Sequence, residues 1–103
     1  MNEPIASITM IGVRSDGERL EIEFSVGRPY YEDAGCWRTP VILTPLYEML
    51  AHAAGGDAMQ SLCMALSLGL DLLGKFQDDG GKLLHEDGTE FILKPYSFGH
   101  AVR

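Results

Sequence analysis

The stretch "ERLEIEFSV", residues 18–26, decides the fold, because its apolar and polar residues alternate without interruption. Every second residue from Leu20 to Val26 is apolar, and the residues between them are Glu or Ser. Strict alternation puts the apolar side chains on one face of a strand and the polar side chains on the other. The stretch therefore predicts a β-strand with one face against a core.

The residues on either side of this stretch predict two more strands. "IASITMIGVR", residues 5–14, is apolar at both parities, as in a strand that is covered on both faces or central in its sheet, and Asp16-Gly17 supplies the turn that follows it. After a loop at 27–35, "CWRTPVIL" predicts a third strand. Pro40 cannot donate a ladder hydrogen bond, so this strand lies at an edge or carries a bulge there.

Two helices are predicted next. Thr44-Pro45 fits an N-cap and first helical position, which predicts a short helix through about Ala53. Asp57 and Gln60 fit a capping box at the start of a long helix that Gly74 closes. Its predicted core stripe is Met59, Leu62, Cys63, Leu66, Leu70 and Leu73.

The long helix carries a second apolar arc at Met64, Leu68 and Leu72. One small sheet covers only part of such a helix, so this arc meets either the short helix or another copy of the chain. Because exposed apolar patches are usually covered and twofold dimers are the commonest oligomers, the arc predicts a homodimer through this helix.

"KLLHEDGTEFILKPY", residues 82–96, predicts a hairpin with arms at 82–85 and 89–94 and a turn at Asp87-Gly88. The complete order is β-β-β-α-α-β-β. We therefore expect a single α+β domain over 1–103, with a mainly antiparallel sheet of about five strands and the long helix packed on one face.

Composition narrows the function classes. With 15 acidic and 8 basic residues the chain carries a net charge of −7, which disfavours nucleic acid and anionic membranes and suits a basic protein partner. No apolar run is long enough for a spanning helix, and the N-terminus does not have the pattern of a signal peptide. Two cysteines are no disulfide framework, so we expect a cytoplasmic protein.

The search for catalytic chemistry finds no phosphate loop, dinucleotide fingerprint, nucleophile elbow or zinc-protease motif. His52, His85 and His100 are dispersed. The acidic residues around Asp87 match no calcium loop, so neither a metal nor a cofactor is expected. Cys63 fits core packing, whereas Cys36, between two arginines, could carry a stabilised thiolate.

The segment "GRPYYEDAGCWR", residues 27–38, carries the best candidate binding residues, because tyrosine and arginine are enriched at interface hot spots. The candidates for this surface loop are Arg28, Tyr30, Tyr31, Glu32, Asp33 and Arg38. We favour a non-enzymatic protein-binding domain, immunity-like or regulatory. The alternative is an anionic-ligand domain or enzyme that uses Arg28, Arg38 and Cys36.

The chain also resembles a group of short bacterial proteins of unknown function. The resemblance rests on Gly27-Arg28-Pro29, on Trp37-Arg38-Thr39-Pro40 and on the helical stretch from Asp57 to Leu66. It covers roughly the middle half of the chain and implies a bacterial cytoplasmic domain. It implies no activity, and the double tyrosine and Cys36 are individual to this sequence.

Overall fold

The structure is a computed structural model that describes residues 3–96. The strands are β1 (Ala6–Val13), β2 (Arg19–Val26), β3 (Tyr30–Asp33), β4 (Cys36–Thr39), β5 (Val41–Thr44), β6 (Ala53–Gly55) and β7 (Lys82–Leu84). One α-helix, α1 (Ala58–Asp78), precedes β7, and a 3-10 turn spans Lys94–Tyr96. The predicted α+β class with antiparallel pairing and one long helix is confirmed.

The strands form two antiparallel sheets instead of one sheet of five. The larger sheet has the order β5-β2-β1-β7, and the smaller has the order β3-β4-β6. The predicted hairpin of β1 and β2 is confirmed, with a regular register from Ala6 opposite Val26 to Val13 opposite Arg19. The alternating stretch behaves as expected, since Ile22, Phe24 and Val26 are buried while Glu21 and Glu23 are exposed.

Pro40 separates the predicted third strand into two strands of different sheets. β4 pairs with β3 and β6, whereas β5 pairs with β2. The carbonyl of Pro40 accepts a hydrogen bond of 2.9 Å from the Gly27 amide, which ties the corner to the end of β2. Because proline has no amide hydrogen to continue a ladder, the chain leaves one sheet here and enters the other.

The short helix predicted from Pro45 to Ala53 is wrong. The Tyr47 amide donates to the Leu43 carbonyl at 2.8 Å, so the chain turns tightly after β5, and β6 begins at Ala53. Leu46, Tyr47 and Leu50 pack against the core from this irregular segment. Burial of these side chains overrides the weak helical preference that the Thr-Pro pair suggested.

The start of α1 agrees with the prediction, and its end does not. The N-cap is confirmed, because the Asp57 carboxylate accepts from the Gln60 amide at 2.7 Å and the Gln60 side chain accepts from the Gly56 amide. The predicted end at Gly74 is wrong, since α1 continues to Asp78 and buries Phe76 in its last turn. Gly80, with a φ of +96°, supplies the left-handed residue after the helix.

The buried face of α1 consists of small residues and two large ones: Ser61, Ala65, Gly69, Leu73 and Phe76. The predicted stripe is wrong at Met59, which is 69% exposed, and at Cys63, which is also exposed. Leu62, Leu66 and Leu70 are half-buried on one flank of this face. Hydrophobic spacing pointed to the large side chains, whereas close packing on the sheets requires small ones along the contact line.

The second apolar arc of α1 is partly covered by the chain itself. Leu68 and Leu72 are half-buried against the core, and Leu46 lines the same cleft as Leu72. Met64 is 51% exposed. The homodimer through these residues remains a prediction.

The C-terminal hairpin is confirmed at its first arm and its turn, and its second arm is shorter than predicted. Glu90 forms a single bridge to Leu84, and the Phe91 amide donates to the Leu83 carbonyl at 2.9 Å. Phe91 is buried in the core, so the chain leaves the strand direction here and the ladder ends.

His100 lies outside the described residues. Of the helices in residues 3–96, none is long and apolar enough to cross a membrane.

Candidate binding surface on the β3–β4 hairpin

The predicted surface loop is a β-hairpin, which corrects the expectation of an irregular segment. Ala34 and Gly35 connect β3 to β4, and both have positive φ, 46° and 78°. A two-residue turn of this kind matches the twist of the flanking strands, and Gly35 adopts the conformation without steric cost. The signal in the sequence was the pair before Cys36, but alanine at the first turn position concealed it.

All four residues of β3 are exposed. Tyr31 is 55% exposed and Tyr30 is 39% exposed, while Glu32 and Asp33 flank the turn. The register shifts between Tyr31 and Asp33, so Glu32 forms a bulge. We call the exposed set of Tyr30, Tyr31, Glu32 and Asp33, with the neighbouring Arg28 and Arg38, the hairpin surface.

Contacts within the hairpin hold Tyr31 in place. Its hydroxyl accepts a hydrogen bond of 3.1 Å from the Gly35 amide. Its ring meets Trp37, the opposite residue on β4, edge to face with 5.7 Å between centroids. Trp37 itself is half-buried. Tyr31 is therefore exposed to solvent, while its hydrogen bond and its ring contact hold the side chain in one position.

Tyr30 is positioned by His52, which the sequence analysis did not connect with this surface. The Tyr30 hydroxyl and His52 Nδ1 are 2.7 Å apart, and the two rings are perpendicular with centroids 5.6 Å apart. His52 precedes β6, and β6 pairs with β4 from the side opposite β3. No local pattern indicates a contact between residues that lie 22 positions apart.

Arg38 is engaged within the hairpin. Its Nε lies 3.2 Å from Glu32 Oε2, and a terminal nitrogen donates to the His52 carbonyl at 3.3 Å. The hydrogen bond that Arg38 donates to Glu32, together with the negative charge of Glu32, raises the pKa of Arg38 above its usual value. About a third of the Arg38 side chain is exposed, so part of the guanidinium still faces solvent.

Arg28 is exposed and forms no ion pair with a residue in the described part of the chain. The two arginines therefore differ in their environment. An anion that used both would compete with Glu32 for Arg38.

The two cysteines are free thiols, and their exposure differs from the prediction for one of them. Cys63 is exposed on α1, which corrects its assignment to the core. Cys36 is half-buried at the start of β4, and its Sγ lies 3.8 Å from the Trp37 carbonyl oxygen.

The acidic residues before and after β7 form turns. The Asp87 carboxylate accepts hydrogen bonds from the Thr89 hydroxyl at 2.6 Å and from the Thr89 amide at 2.9 Å. These two bonds lower the pKa of Asp87. Within residues 3–96, no three His, Cys, Asp or Glu side chains are grouped closely enough to hold a metal ion.

His52 also lines an open cleft of about 130 Å³ beside the hairpin. The cleft lies between β5 and the irregular segment that follows it, with Tyr47, Glu48 and Leu50 among its walls. It continues the hairpin surface past His52 toward the edge of the larger sheet.

Comparison with protein-family models, with curated proteins and with solved structures found no match to this chain. The resemblance to short bacterial proteins therefore remains a prediction that rests on the Gly-Arg-Pro and Trp-Arg-x-Pro elements.

Proposed function

We propose that this chain is a small non-enzymatic protein-binding domain that uses the hairpin surface to hold its partner. The observation that supports the proposal is that Tyr30 and Tyr31 are exposed, yet each is positioned by a hydrogen bond and a ring contact. Side chains ordered before binding lose less conformational entropy on association. Tyrosine combines apolar contact area with a polar end, which suits an interface.

The partner class follows from charge. Asp33 is exposed and forms no ion pair with a described residue, and the whole chain carries a net charge of −7. A basic protein would approach a chain of this net charge with electrostatic assistance. An immunity-like or regulatory role in the cytoplasm fits a small acidic domain with two free cysteines.

The alternative, an anionic-ligand domain or enzyme that uses Arg28, Arg38 and Cys36, has weaker support. Glu32 and the His52 carbonyl already engage Arg38. A ligand would have to replace these contacts before the guanidinium could bind it.

Quantitative pull-down from the source cells tests the proposal. We compare the native chain with a Tyr30→Ala/Tyr31→Ala double variant and with Met59→Ala as a control. Met59 is an exposed apolar residue on α1, 69% exposed, and lies outside the predicted dimer contact, so its removal changes an apolar surface elsewhere. We expect a basic protein to be lost from the double variant and retained by the control. Equal recovery by all three chains would contradict the hairpin surface as the docking site.

A further inference from the structure

β1 is longer than the strand that pairs with its second edge. β2 pairs with all eight residues of β1, whereas β7 pairs only with Ile11, Gly12 and Val13. The first part of β1, residues 6–10, therefore has a free edge. Within the described residues no strand covers that edge.

The main-chain groups on the free edge can be identified from the register. Arg14 donates to the Glu18 carbonyl at 2.8 Å in the same register that joins β1 to β2. Hydrogen-bonded and non-hydrogen-bonded pairs alternate along an antiparallel ladder, so the even-numbered residues of β1 bond to β2. The N–H and C=O groups of Ser7 and Thr9 consequently point toward the free edge.

An apolar groove of about 270 Å³ lies beside this edge on the helix side of the sheet. Its walls include Ile8, Phe24, Val26, Leu66 and Tyr96. Ala6 and Ile8 lie opposite Val26 and Phe24, so a strand added next to β1 would direct its side chains beside Ala6 and Ile8 into the groove. Apolar side chains suit those positions.

The opposite face of the sheet is acidic next to the same edge. Thr9 lies opposite Glu23 and Ile11 lies opposite Glu21, and both glutamates are exposed. An added strand would lie two strands away from β2, which carries the glutamates. A long basic side chain of the added strand that points to this face would reach them. Charge complementarity therefore favours lysine or arginine at the outward positions.

β3, an edge strand of the smaller sheet, differs from the free part of β1. β3 carries a bulge at Glu32 and a second acid at Asp33, and these features discourage strand addition. The free part of β1, "ASITM", has no charge, proline or bulge. The free part of β1 therefore suits strand addition.

A second copy of the chain fits the free edge less well than a short peptide. A twofold β1–β1 pair over residues 6–10 would put Ile5 of one copy where Leu84 of the other pairs with Ile11.

We propose that the free edge of β1 binds an extended peptide of a partner protein by antiparallel strand addition, with apolar residues toward the groove and basic residues toward Glu21 and Glu23. The peptide continues the line of β7 and bonds to Ser7 and Thr9. This site is separate from the hairpin surface and does not depend on it.

The test uses the full chain and a fluorescein-labelled probe, acetyl-Lys-Val-Lys-Val-Lys-Val-Lys-amide, with binding followed by fluorescence anisotropy. We expect saturable binding of this probe. A peptide with glutamate in place of every lysine should bind much more weakly. A peptide with the composition of the probe, but with its valines in one block, should also bind much more weakly. A glutamate peptide that binds equally well would overturn the proposal.

Backbone methylation separates strand addition from simple charge attraction. In an antiparallel pair the lysines opposite Ser7 and Thr9 donate to their carbonyls, whereas the valine amides point away from β1. N-methylation of the two inner lysines should weaken binding about fivefold for each hydrogen bond lost, and N-methylation of two valines should change it little. Equal affinity of the two methylated peptides would rule out the predicted register.

Two variants of the protein complete the test. Thr9→Pro removes an amide that faces the free edge and leaves the pairing with β2 in place, while Thr9→Val keeps the amide. Only Thr9→Pro should lose the probe, and the Tyr30→Ala/Tyr31→Ala variant should bind it normally. If sedimentation instead shows a dimer that Thr9→Pro dissociates, a second copy occupies the edge and the peptide assignment is wrong.

Discussion

Gly69 lies where α1 crosses β2, and its missing side chain decides how closely the two elements approach. A Cβ atom at this position would overlap the Phe24 ring. Ser61 is also fully buried, and its hydroxyl lies 2.8 Å from the Thr39 hydroxyl on β4. Small and hydroxyl-bearing residues thus form the centre of the contact between the helix and both sheets.

Gly69→Ala should therefore destabilise the protein by about 1–3 kcal/mol, because the ring of Phe24 has to move. Gly74→Ala is the matched control on the same helix, since a Cβ there meets no atom within 4 Å. Alanine favours helix over glycine, so the control should gain about 0.5–1 kcal/mol. Urea unfolding of both variants measures the difference, and the same sign for both would contradict the close approach.

Asp87 gives a pH-dependent prediction. Hydrogen bonds from Thr89 lower its pKa, so its contribution to stability is present above the ordinary aspartate pKa and is lost as the pH falls through the lowered value. The native chain should be more stable than Asp87→Ala at neutral pH, and the difference should shrink in acid. Urea midpoints of the two chains measured from neutral pH down to about pH 2 check this. A constant difference would contradict the assignment.

At the scale of elements, Pro40 and the Ala34-Gly35 turn determine how the middle of the chain is divided. Pro40 directs β4 and β5 into different sheets, and the turn converts an expected loop into β3. Burial alternates from 39 to 43, across the proline, because Thr39, Val41 and Leu43 are buried and the residues between them are half-buried. The same side of the chain therefore faces the core before and after Pro40, although the strands that β4 and β5 pair with are different.

The N-cap of α1 is the element boundary that the sequence located best, and it can be tested directly. Asp57→Ala removes the acceptor of the Gln60 amide and should cost about 1 kcal/mol of stability. Asp71→Ala, an exposed position in the middle of α1, is the control and should change stability little. Thermal unfolding that shows equal losses for both would argue against a capping role.

At the scale of the whole molecule, the two sheets and α1 leave one apolar region of the helix in solvent. Met59 and Met64 are 69% and 51% exposed, and Cys63 between them is exposed as well. Leu72 lines a cleft together with Leu46 from the segment after β5, and Leu68 is half-buried against the core. The unburied region therefore lies in the first half of α1.

The homodimer predicted for this helix has a corresponding test. We expect a dimer in sedimentation equilibrium at micromolar concentration, and Met64→Glu should dissociate it by placing a charge in the contact. Met49→Glu is the control, because Met49 is 91% exposed on the segment after β5. A monomeric mass for the native chain would contradict the predicted dimer.

The sequence by itself determined the elements whose signals are local. Alternation located β2, the Asp16-Gly17 turn joined it to β1, and Asp57 with Gln60 located the start of α1. It also indicated the six residues of the candidate surface, all of which are exposed or half-buried. These features depend on neighbours a few positions apart, so a single chain segment contains the information.

Only the tertiary structure decided which residues meet across the fold. The contact of Tyr30 with His52, the burial of Gly69 against Phe24, and the free edge of β1 join segments that are distant in sequence. The absent short helix has the same cause, since Leu46 and Leu50 are drawn into the core. Packing and sheet pairing are sums over many distant contacts, and local preferences of a fraction of a kcal/mol per residue yield to them.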